Sequence, residues 1–110
     1  MNQLNSIILE GNAVSKPTLT VLAPHKVKTV LKMKVLRTAR DEEGNQVEVK
    51  YTFPVVVYGL LAETTVTYAE KGRGFRVVGR LVKEKNKILV LAEHIEWKPF
   101  YKKSKKKVQK

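Results

Sequence analysis

Along most of the chain apolar and polar side chains alternate at every second position, the period of half-buried β-strands. Ile7 to Val14 is the first predicted strand, and Gly11 within it signals a bulge or a tight bend. Ser15-Lys16-Pro17 ends it, and a loop closed by Pro24-His25-Lys26 leads to the second strand, Val27 to Arg37. There Leu31, Met33 and Val35 share one face, and Lys32, Lys34 and Leu36 the other. The polar, glycine-containing run Asp41-Glu42-Glu43-Gly44-Asn45 is a turn that makes strands two and three a hairpin.

The third strand is predicted from about Gln46 to Tyr58, with Phe53, Val55 and Val57 on one face and Thr52, Pro54, Val56 and Tyr58 on the other. Phe53 is expected in the core; Tyr51 shares its parity, but its place near the strand start leaves a groove contact open. Pro54 cannot donate a ladder hydrogen bond and calls for an edge or a bulge. Gly59 breaks the strand, and Leu60 to Lys71 reads as a short helix with Leu61, Thr65, Tyr68 and Ala69 on one face and Gly72 as its stop. Three threonines and a valine between Thr64 and Thr67 weaken that helix. Strand four is Phe75 to Lys83: Phe75, Val77, Gly79 and Leu81 inward, Arg76, Val78, Arg80 and Val82 outward. A tight turn over Glu84-Lys85-Asn86-Lys87 leads to strand five, Ile88 to Trp97, whose terminal Trp97 is expected to pack on the barrel. The order β-β-β-α-β-β predicts an all-β fold, a five-stranded antiparallel OB-fold barrel with one short helix between strands three and four.

At 110 residues there is room for one such domain, set at 1–99, with residues 100–110 as a basic, disordered tail. Charge changes the picture most. The formal net charge is +12, from 22 basic and 10 acidic residues. Seven of the basic residues lie from Lys98 onward, where there is no acid, so residues 1–97 hold 15 basic against 10 acidic side chains. The tail and the domain are therefore both cationic, and polyanions are the natural partners: nucleic acid first, an anionic membrane surface second. The tail alone supports a polyanion clamp, a solubilising end or a partner motif.

Catalytic chemistry finds no foothold in the residues. The chain has no cysteine, so thiolate metal sites and disulfides are excluded. His25 and His94 are the only histidines and have no carboxylate cluster at ligand spacing. Ser6, Ser15 and Ser104 lie in no nucleophile motif, and Gly72-Arg73-Gly74 is too short for a phosphate loop. The expectation is a protein without enzymatic activity, cofactor, metal or small-molecule substrate. No secretory signal and no run of 18 apolar residues is evident, so the chain reads as a soluble cytoplasmic protein, associated with the nucleoid, and not a membrane protein.

Four stretches then resemble one family, the single-stranded-DNA-binding (SSB) proteins. Asn5-Ser6-Ile7-Ile8-Leu9-Glu10-Gly11-Asn12, followed by Pro17, is similar to the family's first-strand motif. Pro54-Val55-Val56-Val57-Tyr58-Gly59-Leu60-Leu61-Ala62-Glu63 resembles its third-strand signature; Tyr68, Lys71 and Gly72 keep the spacing from it, and Gly79-Arg80-Leu81 resembles its strand-four motif. The likeness spans roughly residues 4 to 97. It implies groove binding of single-stranded DNA by stacking and phosphate neutralisation, in replication, recombination and repair. By this resemblance Tyr58 takes the stacking position of strand three, and Arg40 and Lys71 take basic positions. It also implies a homo-oligomer, dimer or tetramer, formed through strand one.

Other family features are absent. The stacking tryptophans would fall at or near Ala39, Thr52 and Asn86, and the acidic C-terminal tip that recruits replication and repair proteins is replaced by Lys102-Lys103-Ser104-Lys105-Lys106-Lys107. A binder that leans on charge is the expectation. Lys32, Lys34, Arg76 and Arg80 are expected to point outward together, with Arg37 and Arg40 bracketing the start of the hairpin and Lys71 and Arg73 adding phosphate contacts after the helix. Phe100 and Tyr101 stack on bases or bury against a neighbouring subunit in this reading. Two rivals stay open: a primosome-type, replication-restart accessory protein acting through protein partners, and an RNA-binding OB protein.

Overall fold

The computed structural model describes residues 2–99. Phe100, Tyr101 and the lysine tail lie outside the described residues. The elements run β1 (Ile7–Ala13), β2 (Leu19–Ala23), β3 (Lys26–Arg40), β4 (Gln46–Tyr58), α1 (Leu60–Tyr68), β5 (Gly74–Glu84) and β6 (Lys87–Trp97). Five of the strands close a barrel in the order β1-β5-β6-β4-β3, with β1 returning to β3. This is the expected OB-type barrel with one short helix. The barrel is not wholly antiparallel, because β4 and β6 meet in parallel at Val55↔Val90 and Val56↔Leu91. β6 touches β4 only there, so Pro54 lies where β4 has a neighbour on one side alone, as a residue without an N–H requires.

Closure depends on β1. Its residues Ile7 to Asn12 pair with β5, and Asn12 and Ala13 pair with Lys34 and Met33 of β3. The strand changes neighbour at Gly11, where a Cβ would collide with the carbonyl oxygen of Lys34. The tight bend read from the sequence is thus a close backbone approach that only glycine allows. Gly79 does the same on the other side of the barrel, against the carbonyl of Leu91, where the β5–β6 register shifts by one residue. That bulge ends the inward run of β5: Phe75, Val77 and Gly79 are buried, whereas Leu81, expected inward, is 44% exposed.

The core is aliphatic around one ring. Leu31, Met33, Val55, Val57, Phe75, Val77, Val90, Ala92 and Ile95 fill the barrel, and Ala62 of α1 and Ala69 just after the helix pack into it. The buried Thr29 Oγ1 donates to the Ala62 carbonyl (3.1 Å), which satisfies its hydroxyl and pins α1 to β3. Trp97 leans on Phe75 with ring centroids 5.2 Å apart, as expected of it.

Two local expectations are corrected. The stretch expected to be a loop before Pro24 contains β2, an edge strand paired with the start of β3. The helix ends at Tyr68, not Lys71: Ala69 turns extended while its N–H still bonds the Thr65 carbonyl, and Gly72 lies in the following turn with φ 87°. Thr64, Thr65 and Thr67 each donate their hydroxyl to the carbonyl four residues back, a pattern that weakens a helix's last turns.

Replacing Gly11 by alanine forces β1 away from β3 and is expected to cost about 1–3 kcal/mol of stability. Urea unfolding should show a lower midpoint with an unchanged slope.

Candidate nucleic-acid interface

Because side chains alternate across a strand, the pairing of β3 with β4 lays two sets of residues on one outward face. The pairs are Lys28↔Tyr58, Val30↔Val56, Lys32↔Pro54, Lys34↔Thr52 and Leu36↔Lys50. The face therefore starts at an aromatic ring, crosses exposed Val30 beside the buried Val56, and passes into lysines. Lys32 and Lys50 are exposed and Lys34 is half-buried. Among the described residues no carboxylate lies within ion-pair reach of these three. Beyond Leu36 the hairpin continues as a largely exposed arm to the turn at Asp41, whose Oδ1 accepts from the N–H groups of Glu43 and Asn45.

Tyr58 is 42% exposed, its ring edge-bound at the mouth of this face. Its hydroxyl donates to Glu84 Oε2 (3.2 Å), and Lys28 Nζ sits 5.9 Å from the ring centroid and 3.9 Å from Glu84 Oε1. Burial, and next the Glu84 carboxylate, push the phenol above the ordinary tyrosine range. Glu84 is carried there by a two-residue turn, Lys85-Asn86, with both residues at positive φ (47° and 69°) as a type I′ hairpin demands. On the other side Tyr58 faces the β2–β3 turn, where His25 also adopts a positive φ of 64°.

The arginines behave differently from the lysines. Arg76 bonds Glu10 through Nε (2.9 Å) and Nη2 (2.7 Å) and reaches Glu96 through Nη1 (3.3 Å). Glu10 also receives Lys98 Nζ at 3.4 Å. The Arg76 hydrogen bond, then the charge of Lys98, hold the Glu10 carboxyl below its ordinary range. Arg80 bonds Glu93 Oε2 through Nε (2.7 Å). The outward residues of β5 thus form a paired, near-neutral face with β1 and β6, and they do not join Lys32 and Lys34 in one cationic tract as expected. Arg73 is a structural strut: Nε donates to the Lys98 carbonyl (2.8 Å), Nη1 to the Tyr68 carbonyl (3.3 Å), and the guanidinium lies 5.8 Å from the Trp97 ring centroid. Arg40 Nη1 donates to the Gly44 carbonyl (2.8 Å) and braces its own turn. Arg37 is exposed on the opposite face of the arm from Lys34, beside Val49 and near the stacked Tyr51–Phe53 pair. Lys71 is exposed in the turn after α1.

The family model for the single-strand binding protein family matches residues 4–88. The chain belongs to this family. A curated relative, single-stranded DNA-binding protein 1 of Streptococcus pyogenes serotype M6, is 38% identical over 77 residues, 70% of this chain and 57% of that protein. The chain therefore matches little more than half of that relative's length. The wild-type single-stranded DNA binding protein from Thermus aquaticus is 27% identical and superposes with a TM-score of 0.75, over 87% of this chain and 50% of that one. A Plasmodium falciparum SSB solved in complex with ssDNA reaches a TM-score of 0.78 over 90% of this chain and 98% of that one; at 18% identity it speaks for the fold.

Set in an SSB-family barrel, the β3–β4 face runs between the β1–β3 connection and the β5–β6 turn, the region where OB folds take oligonucleotides. Sequence reading missed Lys26, Lys28 and Lys50 there. The signal was present, since Lys28 and Lys50 continue the parity of Lys32 and Lys34 at the two ends of the tract. Nothing local marked the arginines' acidic partners, because Glu10 is 66 residues from Arg76.

A Glu84→Gln substitution keeps an acceptor for the Tyr58 hydroxyl but removes the charge. The Tyr58 phenol, followed by NMR titration, should then ionise at lower pH than in the wild type while staying above an exposed tyrosine.

Proposed function

We propose that this chain binds single-stranded DNA without sequence preference and protects transient single strands in replication, recombination and repair. The observation that carries this is the division of charge. On the β3–β4 face Lys32, Lys34 and Lys50 have no acidic partner among the described residues and run from an exposed ring, whereas the β5 face is neutralised by Glu10, Glu93 and Glu96. A cationic tract holds phosphates of any sequence, and a ring stacks on any base. Lys32, Lys34, Lys50 and Lys28 hold the backbone, and Tyr58 stacks. Arg37, Arg40 and Lys71 flank the tract; Arg73, Arg76 and Arg80 support the barrel.

The same reading includes self-association and a place beside DNA in the cytoplasm. The N-terminal half of β1 is paired to β5 on one side only, and Ile8 on it is 64% exposed, which supports an interface between copies along that edge. The two-residue β5–β6 turn and the single ring on the tract favour a second reading, a replication-restart accessory role through protein partners. That role would show as weak DNA binding beside tight capture of a helicase or primase.

A salt series with oligo(dT) tests the proposal. Lys32→Gln with Lys34→Gln should weaken binding and reduce the log–log salt slope by about 1.4, from about 0.7 per phosphate released on a single strand. Arg76→Gln with Arg80→Gln should leave the slope unchanged. Equal losses from both pairs would overturn the assignment of the face.

A further inference from the structure

The chain leaves the barrel at a fixed place. Lys98 N–H donates to the Gly74 carbonyl (3.0 Å), and Arg73 Nε donates to the Lys98 carbonyl (2.8 Å), so the backbone is held one residue beyond the end of β6. Lys98 and Pro99 are both exposed. Beside them is an open cleft of about 220 Å³ lined by Glu10, Gly11, Asn12, Leu36, Gly74 and Lys98. Two of these residues mark the end of the lysine tract: Leu36 is the cross-strand partner of Lys50, and Asn12 that of Lys34. The tract that starts at Tyr58 thus ends where the chain departs. At about 3.4 Å per residue, β3 between Lys28 and Leu36 covers about 27 Å.

Charge says what the departing segment meets. Residues 102–110 include six lysines and no acid. Glu10, the one carboxylate lining the cleft, already holds Arg76 (2.7 Å) and Lys98 (3.4 Å). Lys34 and Lys50 at the end of the tract have no acidic partner among the described residues. The turn after α1 brings exposed Lys71 to the same end of the barrel, since its neighbour Gly72 donates its N–H to the Ala13 carbonyl (2.8 Å). Cations therefore converge here from β3, β4, the turn and the exit, and a polyanion running through them neutralises all four groups.

Resting on the single-stranded DNA reading above, we propose that the lysines of residues 102–110 take the same DNA strand as the tract, where that strand leaves the barrel past Leu36 and Lys98. Tract and segment form one phosphate-binding path, longer than the barrel itself. The chain from Lys98 to Lys102 spans at most about 14 Å, so the first lysines of the segment stay close to the phosphates just beyond Leu36. Tethering makes this second contact intramolecular, and it adds affinity only for a strand long enough to reach it. At physiological salt a charge more than about 8 Å from a phosphate is largely screened, so a strand confined to the tract gains little from the segment.

The test is a full-length chain carrying Lys102→Gln, Lys103→Gln, Lys105→Gln, Lys106→Gln, Lys107→Gln and Lys110→Gln, which touches none of the barrel contacts described above. On oligo(dT) of about 16 nucleotides this variant should bind on the order of tenfold more weakly or worse, with a log–log salt slope lower by about 2–4, from about 0.7 per phosphate released. On oligo(dT) of about 5 nucleotides, enough for the tract alone, it should bind like the wild type. Wild-type affinity and slope on the long strand overturn the continuous path, as does tighter binding, which makes the segment a shield over the tract. An equal loss on both lengths also overturns it, because the segment then acts as a general field. Lys32→Gln with Lys34→Gln should weaken both lengths, and this control separates failure of the segment from failure of the tract. A wild-type chain that binds neither length overturns the proposed function and the path together.

Discussion

Everything in this molecule depends on one crowded contact, the passage of β1 at Gly11 over the Lys34 carbonyl. There β1 leaves β5 for β3 and converts a curved sheet into a closed barrel. A closed barrel needs strong local bending, and bending is easiest where a side chain is missing. Gly79 supplies the matching kink on β5 and, through its register shift, leaves Glu93 out of the Val78↔His94 and Gly79↔Ala92 pairs. That displaced Glu93 meets Arg80. The geometry that closes the barrel thereby also fixes the charge pairs of its β5 face.

Closure leaves β3 and β4 to run past the barrel as a long hairpin. Their outward residues inherit strict alternation from the strand period, so lysines at 28, 32 and 34 and the ring at 58 fall on one side with no further device. Along that side Lys32, Lys34 and Lys50 have no ion-pair partner among the described residues, while Lys28 pairs with Glu84. Under the proposed function such a tract acts through a field that salt can screen.

Much of this was legible in the sequence where periodicity and burial agree. β4 begins and ends at Gln46 and Tyr58 as the alternation predicts, and the five barrel strands and the single helix follow from pattern and punctuation. β2 was not legible, because Leu19 to Ala23 are mostly exposed on a hairpin edge and one of the five is bulged out, which destroys the alternation. The helix end was misread at Gly72, since the threonines' own back-bonding brings the helix to a close at Tyr68, before any glycine is reached. The roles of Arg76 and Arg80 were hidden for a different reason. Outwardness is a property of one strand, but neutralisation comes from Glu10, Glu93 and Glu96 on its neighbours, and cross-strand partners leave no local mark.

The two tight turns that flank Tyr58 carry a thermodynamic consequence. His25 at one and Lys85-Asn86 at the other hold left-handed backbones inside two hairpins, with no long loop to be frozen when a ligand arrives. Long loops that order on binding surrender conformational entropy, and that loss must be recovered from contacts. Here both turns are short, so there is little chain left to order. Association at this end of the barrel is therefore expected to be fast, with a heat-capacity change set by buried surface alone and no contribution from folding of the rim.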